Sequence, residues 1–498
     1  MYYVGIDVST TASKALAIDE KGNLAASASY PHPISTPRPL WSEQNPLDWW
    51  DAVCRALRDI TAKIPADQIA AVGLTGQMHG LTTLDKDNQP VRPAILWNDQ
   101  RSGAECAAIT RKIGAEWLYS HIGTQMLTGF TAPKLAWLRE HEPDAYGRIE
   151  KFLLPKDYIR FRMSGAFVTD VADGSGTALM DIARRTWSEQ MIAALDLPRQ
   201  WLPELCESPE VCAHVNSEGA AATGLKVGTP IVGGAGDQPA QAIGSGITRA
   251  GETSLTVGTS GVVFTAADRY APEPDGRLQT YCHAIPGVWF YMGVMLSAAG
   301  SLRWLHDELA PDKSYEQLSE LAASVPRGSG GLLFSPYLTG ERHPHPDPLA
   351  RGGFIGLTAR QGLPHLVRAV MEGVAFGMDD NLALLRAQGT HPKSAAVSGG
   401  AANSPVWREL LAEITELPLY TVNSTEGAAF GAAILGAVGV GAWRDVPSAC
   451  SALIRKVDEI TPTSAGMTFY ARLHEVFDVV YPTLRSLSHT LGTFEAGK

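Results

Sequence analysis

Three segments of the sequence place acidic or hydroxyl side chains beside glycines at the ends of apolar stretches. In the first, GIDVSTT at 5–11, Asp7 ends an apolar stretch, three hydroxyl residues follow, and Lys14 comes shortly after. A carboxylate can hold a hydrated Mg²⁺, while hydroxyls, turn N–H groups and a lysine can bind phosphate oxygens. The pattern therefore indicates phosphate and magnesium chemistry. Its alternative is a plain hairpin turn that uses the same residues for its own hydrogen bonds.

The second segment is the turn GTSG at 258–261, between the apolar stretches 254–257 and 262–265. By itself such a turn is ordinary hairpin chemistry. Because it repeats the strand, hydroxyl-rich turn and strand of the first segment, we infer an internal duplication. Two such turns in two lobes could hold one polyphosphate from both sides.

The third segment is GGAGD at 233–237, in which Asp237 ends a run of four small residues. Glycines let a backbone turn sharply and approach a ligand, and Pro239 fits the first turn of a helix that begins here. In a kinase, Asp237 would accept the proton of the attacking hydroxyl. The alternative is that Asp237 only caps the helix, since aspartate is a favoured N-cap residue.

Polar residues also end two apolar strands, predicted at 70–74 and 93–97. The first strand leads to QMH at 77–79 and the second to ND at 98–99. Ligand-binding residues favour such strand ends, and polyol recognition needs polar tips beside an apolar wall. A glycine turn at 399–403, GGAAN, could let an adenine lie against the backbone, and its alternative is a plain helix entry.

The elements that position these segments are those of an α/β protein. Because 498 residues exceed one ordinary core, we expect an N-terminal lobe at 1–245 for sugar and base and a C-terminal lobe at 246–498 for nucleotide. Alternating apolar residues predict an antiparallel pair of strands at the start of the chain.

Helical spacing in the second lobe predicts helices around 366–378 and 407–414, each with one buried face. The segment 336–357 is rich in proline and glycine and is predicted to be a long loop. The last amphipathic helix is predicted over 473–484, interrupted by Pro482.

Composition excludes several classes of partner. The net charge is −11, and no run of lysine or arginine offers attraction to nucleic acid or to an anionic membrane. The first residues lack the pattern of an export signal, and the apolar stretch 428–443 is short and glycine-rich, which favours a buried helix. Six cysteines without a C-x-x-C pair fit a reducing compartment, so we expect a cytoplasmic protein. A homodimer stays open.

Ordered motifs along nearly the whole chain carry a resemblance to a known family. They are GIDVSTTASK, LWSEQNPLDWW, GLTGQMHG, RPAILWNDQR, FTAPKLAWLREHEP, LLPKDYIRFRMSG, GGAGDQPA, VGTSG, PYLTGERHPHPDPLARGGFIGL, RAVMEGVAFG, SGGAANSPVWRELLA and EGAAFGAAILGA. This set resembles the FGGY carbohydrate kinases, most closely their xylulokinase branch.

The resemblance implies an α/β fold with two ribonuclease-H-like lobes of the actin/hexokinase/Hsp70 ATPase type, and an interlobe cleft for ATP and Mg²⁺. It implies phosphorylation of D-xylulose to D-xylulose 5-phosphate, with Asp237 as the base, Asp7 supporting metal and phosphates, and both as metal ligands. The substrate-binding residues it implies are Gln77, Met78, His79, Trp97, Asn98, Asp99 and Gln238. The nucleotide-binding residues are Thr10, Thr11, Lys14, Gly258, Thr259, Gly300, Gly399, Gly400 and Asn403.

Two residues depart from the family pattern. Ser9 stands where the family usually has glycine, and Gln238 stands where xylulokinases often have asparagine. Neither change removes a charged group. Because Gln238 also occurs in relatives that act on other polyols, a kinase for another ketose or polyol is one alternative. A catalytically idle actin-like protein that only binds nucleotide is another.

Overall fold

The computed structural model describes residues 1–495 of the 498-residue chain, and its contacts divide the chain into two compact units. Unit 1 comprises Met1–Ala250, Ala266–Phe290 and Ser424–Arg455, and unit 2 comprises Gly251–Thr265, Tyr291–Asn423 and the chain from Lys456 onward. The predicted boundary between residues 245 and 246 lies close to the first change of unit, but the chain returns to unit 1 twice. The two contiguous lobes therefore stay a prediction.

The strands are numbered along the chain. They are β1 Tyr2–Val8, β2 Ala12–Asp19, β3 Leu24–Pro31, β4 Glu43–Gln44, β5 Ile69–Gly76, β6 Thr82–Leu84, β7 Ala94–Ile95, β8 Lys151–Leu153, β9 Val168–Asp170, β10 Met180–Asp181, β11 Thr186–Trp187, β12 Glu204–Cys206, β13 Val211–His214, β14 Pro230–Val232, β15 Ala235–Gly236, β16 Thr253–Val257, β17 Gly261–Ala267, β18 Gln279–Cys282, β19 Trp289–Met295, β20 Leu333–Ser335, β21 Gly353–Ile355, β22 Ala395–Gly399, β23 Leu419–Val422 and β24 Lys456–Ile460.

The helices are numbered in the same way. They are α1 Pro46–Thr61, α2 Gly103–Ile113, α3 Ala115–Ile122, α4 Thr131–His141, α5 Pro143–Tyr146, α6 Pro155–Ser164, α7 Val171–Gly174, α8 Glu189–Ala194, α9 Ser217–Thr223, α10 Asp237–Gly244, α11 Ala299–Leu309, α12 Tyr315–Ala323, α13 Leu363–Ala387, α14 Pro405–Thr415, α15 Gly427–Gly439, α16 Val446–Leu453, α17 Ser464–Phe477 and α18 Val480–Glu495.

Unit 1 is built on a twisted sheet with the strand order β13-β14-β5-β1-β2-β3, and β15 pairs with β5 beside this path. The pair β1 and β2 is antiparallel, whereas β1 and β5 are parallel. One face of the sheet packs against α1, α6 and α9, and the other packs against α10, α15 and α16. Each face has its own apolar core, so the candidate residues at the strand ends stand on a rigid support.

The helix α15 lies unusually close to its neighbours because glycines face each other there. A side chain at Gly431 would collide with the main-chain carbonyl oxygen of Ala240 in α10, and one at Gly5 would collide with that of Ala429. The glycine-rich apolar stretch predicted to be a buried helix is therefore a buried helix. Its close contact with α10 fixes the helix that begins at Asp237.

Unit 2 contains a run of paired strands in the order β17-β16-β22-β23-β24. The pair β16 and β17 is antiparallel, and β16 and β22 are parallel. This is the pairing pattern of β2, β1 and β5 in unit 1, which agrees with the predicted duplication. The 25-residue helix α13 crosses the unit and packs against α11, α12, α14 and β20.

The predicted hairpin of the first residues and the helices near 366–378 and 407–414 are confirmed. The single interrupted helix predicted over 473–484 is wrong, because α17 ends at Phe477 and α18 begins at Val480. Pro482 thus lies in the first turn of α18, where proline is tolerated. Part of the predicted loop 336–357 is also ordered as β21, which pairs with β20.

None of the helices within residues 1–495 combines the length and apolar character that crossing a membrane requires. None of the six cysteines forms a disulfide in the structure.

Candidate active site

The register of the unit 1 sheet places two candidate carboxylates at one end of it. Asp7 in β1 lies opposite Thr75 in β5, and Ala235 in β15 lies opposite the same Thr75 from the other side. Asp237 follows β15 directly. Because these strands are parallel, the ends that carry Asp7 and Asp237 meet at the same end of the sheet.

The two carboxylates influence each other electrostatically. Burial and then the negative charge of Asp7 raise the pKa of Asp237 to about 7, against the effect of hydrogen bonds from Gln238. Burial raises the pKa of Asp7 to about 6, against the effect of the Lys14 ammonium. A carboxylate with a pKa near neutrality is suited to accept a proton and release it again.

Asp7 has the chemistry that a bound cation needs. Its Oδ1 is buried and has no hydrogen-bond partner among the described residues. Nearby, Lys14 forms an ion pair with Glu426, which precedes α15. Since a buried carboxylate oxygen is costly without a partner, this oxygen fits a hydrated divalent cation.

The capping interpretation of Asp237 is wrong. The N-cap of α10 is Gly236, and no side chain forms a capping hydrogen bond at this end of the helix. Asp237 is the first residue of the helix itself, so it does not occupy the N-cap position. Gly236 meanwhile leaves no room for a side chain, because a Cβ there would lie 2.5 Å from Cγ of Met78. Met78 therefore packs beside the residue that carries the candidate base.

His79 lies next to Met78 on the same segment. Its Nδ1 and the carbonyl oxygen of Gly176 are 2.7 Å apart, and its ring centroid is 5.1 Å from that of Phe130. The structure thus brings Met78, His79 and Asp237 into one region of unit 1.

The hydroxyl of Thr10 belongs to a polar network of unit 1. It accepts a hydrogen bond from Nε1 of Trp97 at 3.0 Å and donates to Oε1 of Gln77 at 3.5 Å. Nε2 of Gln77 donates to Oε1 of Gln44 at 2.9 Å, and Nε2 of Gln44 donates to the carbonyl of Thr10 at 2.7 Å. These side chains hold the β1–β2 turn in place, so Gln77 and Trp97 support the site even before a ligand binds. Thr11 is exposed at the same turn.

Asp99 is occupied by protein partners. Its carboxylate accepts hydrogen bonds from Nε of Arg101 at 2.9 Å and from the backbone N–H of Ser42 at 2.6 Å. It is only 1% exposed, whereas its neighbour Asn98 is exposed. The carboxylate of Asp99 therefore holds a loop in place. Its position after a strand did not reveal this, because a residue that binds a ligand would stand at the same position.

A buried charge cluster that sequence reasoning missed lies behind the base. Lys156 is paired with Asp157 at 2.5 Å and with Asp170 at 2.6 Å, and all of these side chains are 0% exposed. Asp173 in the same cluster faces Gly236, since a Cβ there would lie 3.0 Å from its Oδ1. Its charge is one of those that interact with Asp237. The motif LLPKDYIR contained the signal, but charged residues on a helix usually indicate a solvated face.

In unit 2, the turn between β16 and β17 is bonded to the start of α11. The carbonyl of Thr259 accepts from the backbone N–H of Ala298 at 2.8 Å and of Gly300 at 3.1 Å, and its hydroxyl accepts from Arg303 at 2.6 Å. Gly300 has no room for a side chain, because a Cβ there would lie 2.8 Å from the carbonyl oxygen of Thr259. The predicted residues Thr259 and Gly300 are thus brought together, and the turn is fixed to a helix.

A cavity of about 1070 Å³ opens beside this turn within unit 2. Among the residues that line it are Gly258, Thr259, Gly400, Asn403 and Trp407. Its walls combine apolar side chains, such as Leu302 and Met371, with polar and charged ones, such as Arg303 and Ser319. This is the character of a site for a flat ring with polar edges.

Glycine is required at one position beside this cavity. Gly399 has a φ of +80°, in the left-handed region, and a Cβ there would lie 2.5 Å from the carbonyl oxygen of Val257. Gly400 follows it at the start of a 3₁₀ turn that precedes α14, and a Cβ there would meet nothing closer than 3.8 Å. The first glycine is thus a backbone necessity, while the second leaves open space at the cavity wall.

Two family models match the chain. The N-terminal domain of the FGGY family of carbohydrate kinases matches residues 2–244, and its C-terminal domain matches residues 253–440. The xylulose kinase of Escherichia coli (strain K12) is 40% identical over 437 residues, which cover 88% of this chain and 90% of that protein. The xylulose kinase of Klebsiella pneumoniae is 39% identical over 97% of this chain and 99% of that protein.

Among solved structures, a crystal structure described as a xyloylose kinase from Brucella ovis superposes with a TM-score of 0.92. It is 36% identical and covers 98% of this chain and 100% of that one. The predicted α/β fold of the actin/hexokinase/Hsp70 ATPase type is therefore confirmed. Members of this family are phosphotransferases that act on a sugar alcohol group, with ATP as the other substrate. The chain belongs to the FGGY family of carbohydrate kinases.

Proposed function

We propose that this chain transfers the γ-phosphoryl group of ATP to the terminal 5-hydroxyl of D-xylulose, giving D-xylulose 5-phosphate and ADP. The observation that carries the proposal is the pair Asp7 and Asp237 at one end of the unit 1 sheet, one with an unpartnered buried oxygen and the other with a raised pKa. The choice of D-xylulose is supported by relatives named xylulose kinase that match nearly the whole chain.

Asp237 is the base in this mechanism. Its carboxylate accepts the proton of the 5-hydroxyl as the oxygen attacks the γ-phosphorus, and the bond from that phosphorus to the ADP oxygen breaks. Because the pKa of Asp237 is raised to about 7, its carboxylate can accept this proton and afterwards release it to water at neutral pH. Gln238, which hydrogen-bonds to this carboxylate, orients it.

Asp7 would hold Mg²⁺, directly or through water, together with Asp237. When bound, Mg²⁺ neutralises the charge that develops on the phosphate oxygens. The proposed phosphate-binding groups of unit 1 are Thr10 and Thr11 on the β1–β2 turn and Lys14, which lies opposite Asp7 in β2. Because Lys14 is paired with Glu426, phosphate binding would have to compete with or share that pairing.

Met78 and His79 are the proposed sugar contacts, with Met78 as the apolar wall and His79 as the polar tip. The buried Gln77 and Asp99 are already bonded within the protein. Their proposed part is therefore to hold the segments that carry the sugar contacts, with Trp97 in the same network. The exposed Asn98 remains a proposed direct contact.

Unit 2 is the proposed nucleotide-binding part. Its cavity would accept the adenine, with Gly400 and Asn403 on its wall and Gly399 directly before Gly400. Gly258, Thr259 and Gly300 form the bonded turn beside it, which would face the phosphates. Backbone N–H groups and small residues suit this task because they let phosphate oxygens approach closely.

Several finer expectations belong to the same proposal. The absence of a basic run supports a small-molecule enzyme that does not bind nucleic acid, and the free cysteines support a cytoplasmic location. Assembly as a homodimer stays open. An idle nucleotide-binding protein would not need Asp7 and Asp237 together, which favours an active enzyme.

The test is a steady-state assay of ADP release on a panel of pentuloses and polyols. We expect the highest kcat/KM with D-xylulose. A clear preference for another ketose or polyol would replace the substrate and keep the reaction class. Nucleotide binding without ADP release on any sugar would favour the idle alternative.

A further inference from the structure

The main chain of His79 is held in an uncommon conformation. Its φ is +69°, in the left-handed region that residues with a Cβ rarely adopt. Such a conformation persists only where the surrounding structure holds it. The groups that hold His79 therefore decide where its side chain lies.

Two fully buried side chains from the first turn of α4 hold the carbonyl of His79. Nζ of Lys134 donates to this carbonyl oxygen at 3.0 Å, and Oγ1 of Thr131 donates to it at 3.1 Å. Nζ of Lys134 also donates to the carbonyl oxygen of Gly129 at 2.6 Å. Lys134 and Thr131 are both 0% exposed.

Lys134 differs from the other buried lysine of unit 1. Lys156 is compensated by the carboxylates of Asp157 and Asp170, whereas both hydrogen bonds of Lys134 go to main-chain carbonyls. Burial lowers the pKa of Lys134 to about 7, although Asp99 acts in the opposite direction. Burying an ammonium group is costly, and no carboxylate bonded to Lys134 offsets this cost. We therefore look for the role of Lys134 in the main-chain carbonyls that it holds in place.

The imidazole ring of His79 is fixed as well. Nδ1 lies 2.7 Å from the carbonyl oxygen of Gly176, and since a carbonyl oxygen can only accept, Nδ1 carries the hydrogen. In the neutral ring Nε2 is then a hydrogen-bond acceptor, which suits a hydroxyl donor such as that of a sugar. Gly176 has no space for a side chain, because a Cβ there would lie 2.6 Å from Cε1 of His79.

We propose that Lys134 is a positioning residue for sugar binding, which acts together with Thr131 by holding the main-chain carbonyl of His79. The inference rests on the proposed function, in which His79 contacts the sugar. It predicts that loosening this carbonyl weakens sugar binding and leaves nucleotide binding unchanged, because the nucleotide cavity lies in unit 2.

The first experiment compares the variants Thr131→Val and Lys134→Met with the parent protein. Each should raise the KM for the sugar about five- to twentyfold, since small misplacements of a contact group cost this much, with the KM for ATP within about twofold of the parent value. Thr223→Val is the matched control, because its buried Oγ1 also donates to a carbonyl, that of Gly219 at 2.6 Å, in a different helix. It should leave both KM values unchanged. Thermal melts show which variants are folded.

The second experiment repeats both substitutions in a His79→Ala background. If Lys134 and Thr131 act through His79, removing the imidazole leaves them little to position, and the further change in sugar KM should stay below about twofold. If Lys134 and Thr131 had a purely structural role, the fold increase in sugar KM from each substitution would instead multiply with that from His79→Ala.

Each outcome bears on the inference. Folded Thr131→Val and Lys134→Met proteins with the parental sugar KM would overturn it, and so would effects that multiply fully with His79→Ala. These results concern variants of an active parent, so they leave the proposed function intact. A parent protein that phosphorylates no sugar would overturn the proposed function first, and this inference with it.

Discussion

The hairpin β1–β2 of unit 1 and the hairpin β16–β17 of unit 2 have the same pattern of strand pairing but differ in the charge of their side chains. In unit 1, β1 is antiparallel to β2 and parallel to β5, and in unit 2, β16 is antiparallel to β17 and parallel to β22. Asp7 is the residue before the last one of β1, and the corresponding residue of β16 is Thr256, whose hydroxyl lies 3.0 Å from that of Ser398. The same frame thus carries a carboxylate in one unit and a neutral hydroxyl pair in the other.

A second difference lies at the ends of other strands. Asp237 directly follows β15 of unit 1, whereas Gly399 ends β22 of unit 2 and Gly400 directly follows it. At these strand ends, unit 1 carries the carboxylates of Asp7 and Asp237, whereas unit 2 carries hydroxyl groups and glycines beside a cavity. Under the proposed function, the duplicated frame divides its work, with the base and the sugar contacts in one copy and nucleotide binding in the other.

The strongest test of this division is Asp237→Asn. The amide keeps the shape of the side chain but cannot take up the proton of the sugar hydroxyl, so kcat should fall about 10²- to 10⁴-fold. The Kd for ATP, measured by calorimetry, should stay close to the parent value because the cavity proposed to bind the nucleotide lies in unit 2. A loss of ATP affinity as large as the fall in kcat would show that Asp237 of unit 1 is needed for nucleotide binding, and would contradict this division.

Asp7→Asn should give the second largest effect. It removes the charge that would hold Mg²⁺, so we expect kcat to fall about 100-fold and the Mg²⁺ concentration for half-maximal activity to rise. A magnesium titration of the coupled assay measures both. Thr256→Ala is the matched control at the corresponding position of unit 2, and it should leave the magnesium dependence unchanged.

Gly400→Leu tests the other side of the comparison. A leucine would enter the open space beside Gly400 and fill part of the cavity, so the KM for ATP should rise about tenfold while the KM for the sugar stays constant. Gly353→Leu is the control, because a Cβ at that glycine of unit 2 would meet no atom within 4 Å and Gly353 does not line the cavity. Equal effects of the two changes would contradict the assignment of the cavity.

The smallest expected effect concerns the contribution of one charged histidine of unit 2, His474, to the stability of the fold. Burial opposes the charge of His474, yet hydrogen bonds to Asp379 and Asp380 raise its pKa to about 10. Because the folded pKa lies above the unfolded value of about 6.5, its contribution is complete below that pH and is lost as the pH rises to about 10.

The variant His474→Gln should accordingly be less stable than the parent by roughly 1–3 kcal/mol at pH 6, with little difference at pH 10. Urea unfolding at the two pH values measures this, and a change at the exposed His391 to glutamine serves as control. A stability difference that grows with pH would contradict the assignment of a positive charge to His474. A changed kcat at neutral pH would show that this charge of unit 2 also affects catalysis.

Sequence patterns predicted the turns and the pairing of the first hairpins because each depends on neighbouring residues. The pairing partners of Gln77 and Asp99 are set by residues far away in the chain, so strand-end position alone could not reveal that both are bonded within the protein. For the same reason the return of Ser424–Arg455 to unit 1 was not predictable from local composition.

The buried charges were missed for a different physical reason. Lys134 lies in α4, which shows almost no amphipathic pattern, and a lysine on a helix ordinarily indicates a solvated face. Only the fold shows that this ammonium group meets two carbonyls in place of water.

The most direct test follows the phosphoryl group itself. Incubation of the parent protein with ATP, Mg²⁺ and D-xylulose, followed by phosphorus NMR, should give equal amounts of ADP and a sugar phosphate esterified at the 5-hydroxyl. The Asp237→Asn protein, saturated with both substrates, should form this product at least about 100-fold more slowly. A product formed at the parental rate without the Asp237 carboxylate, or a phosphate on another hydroxyl, would contradict the account.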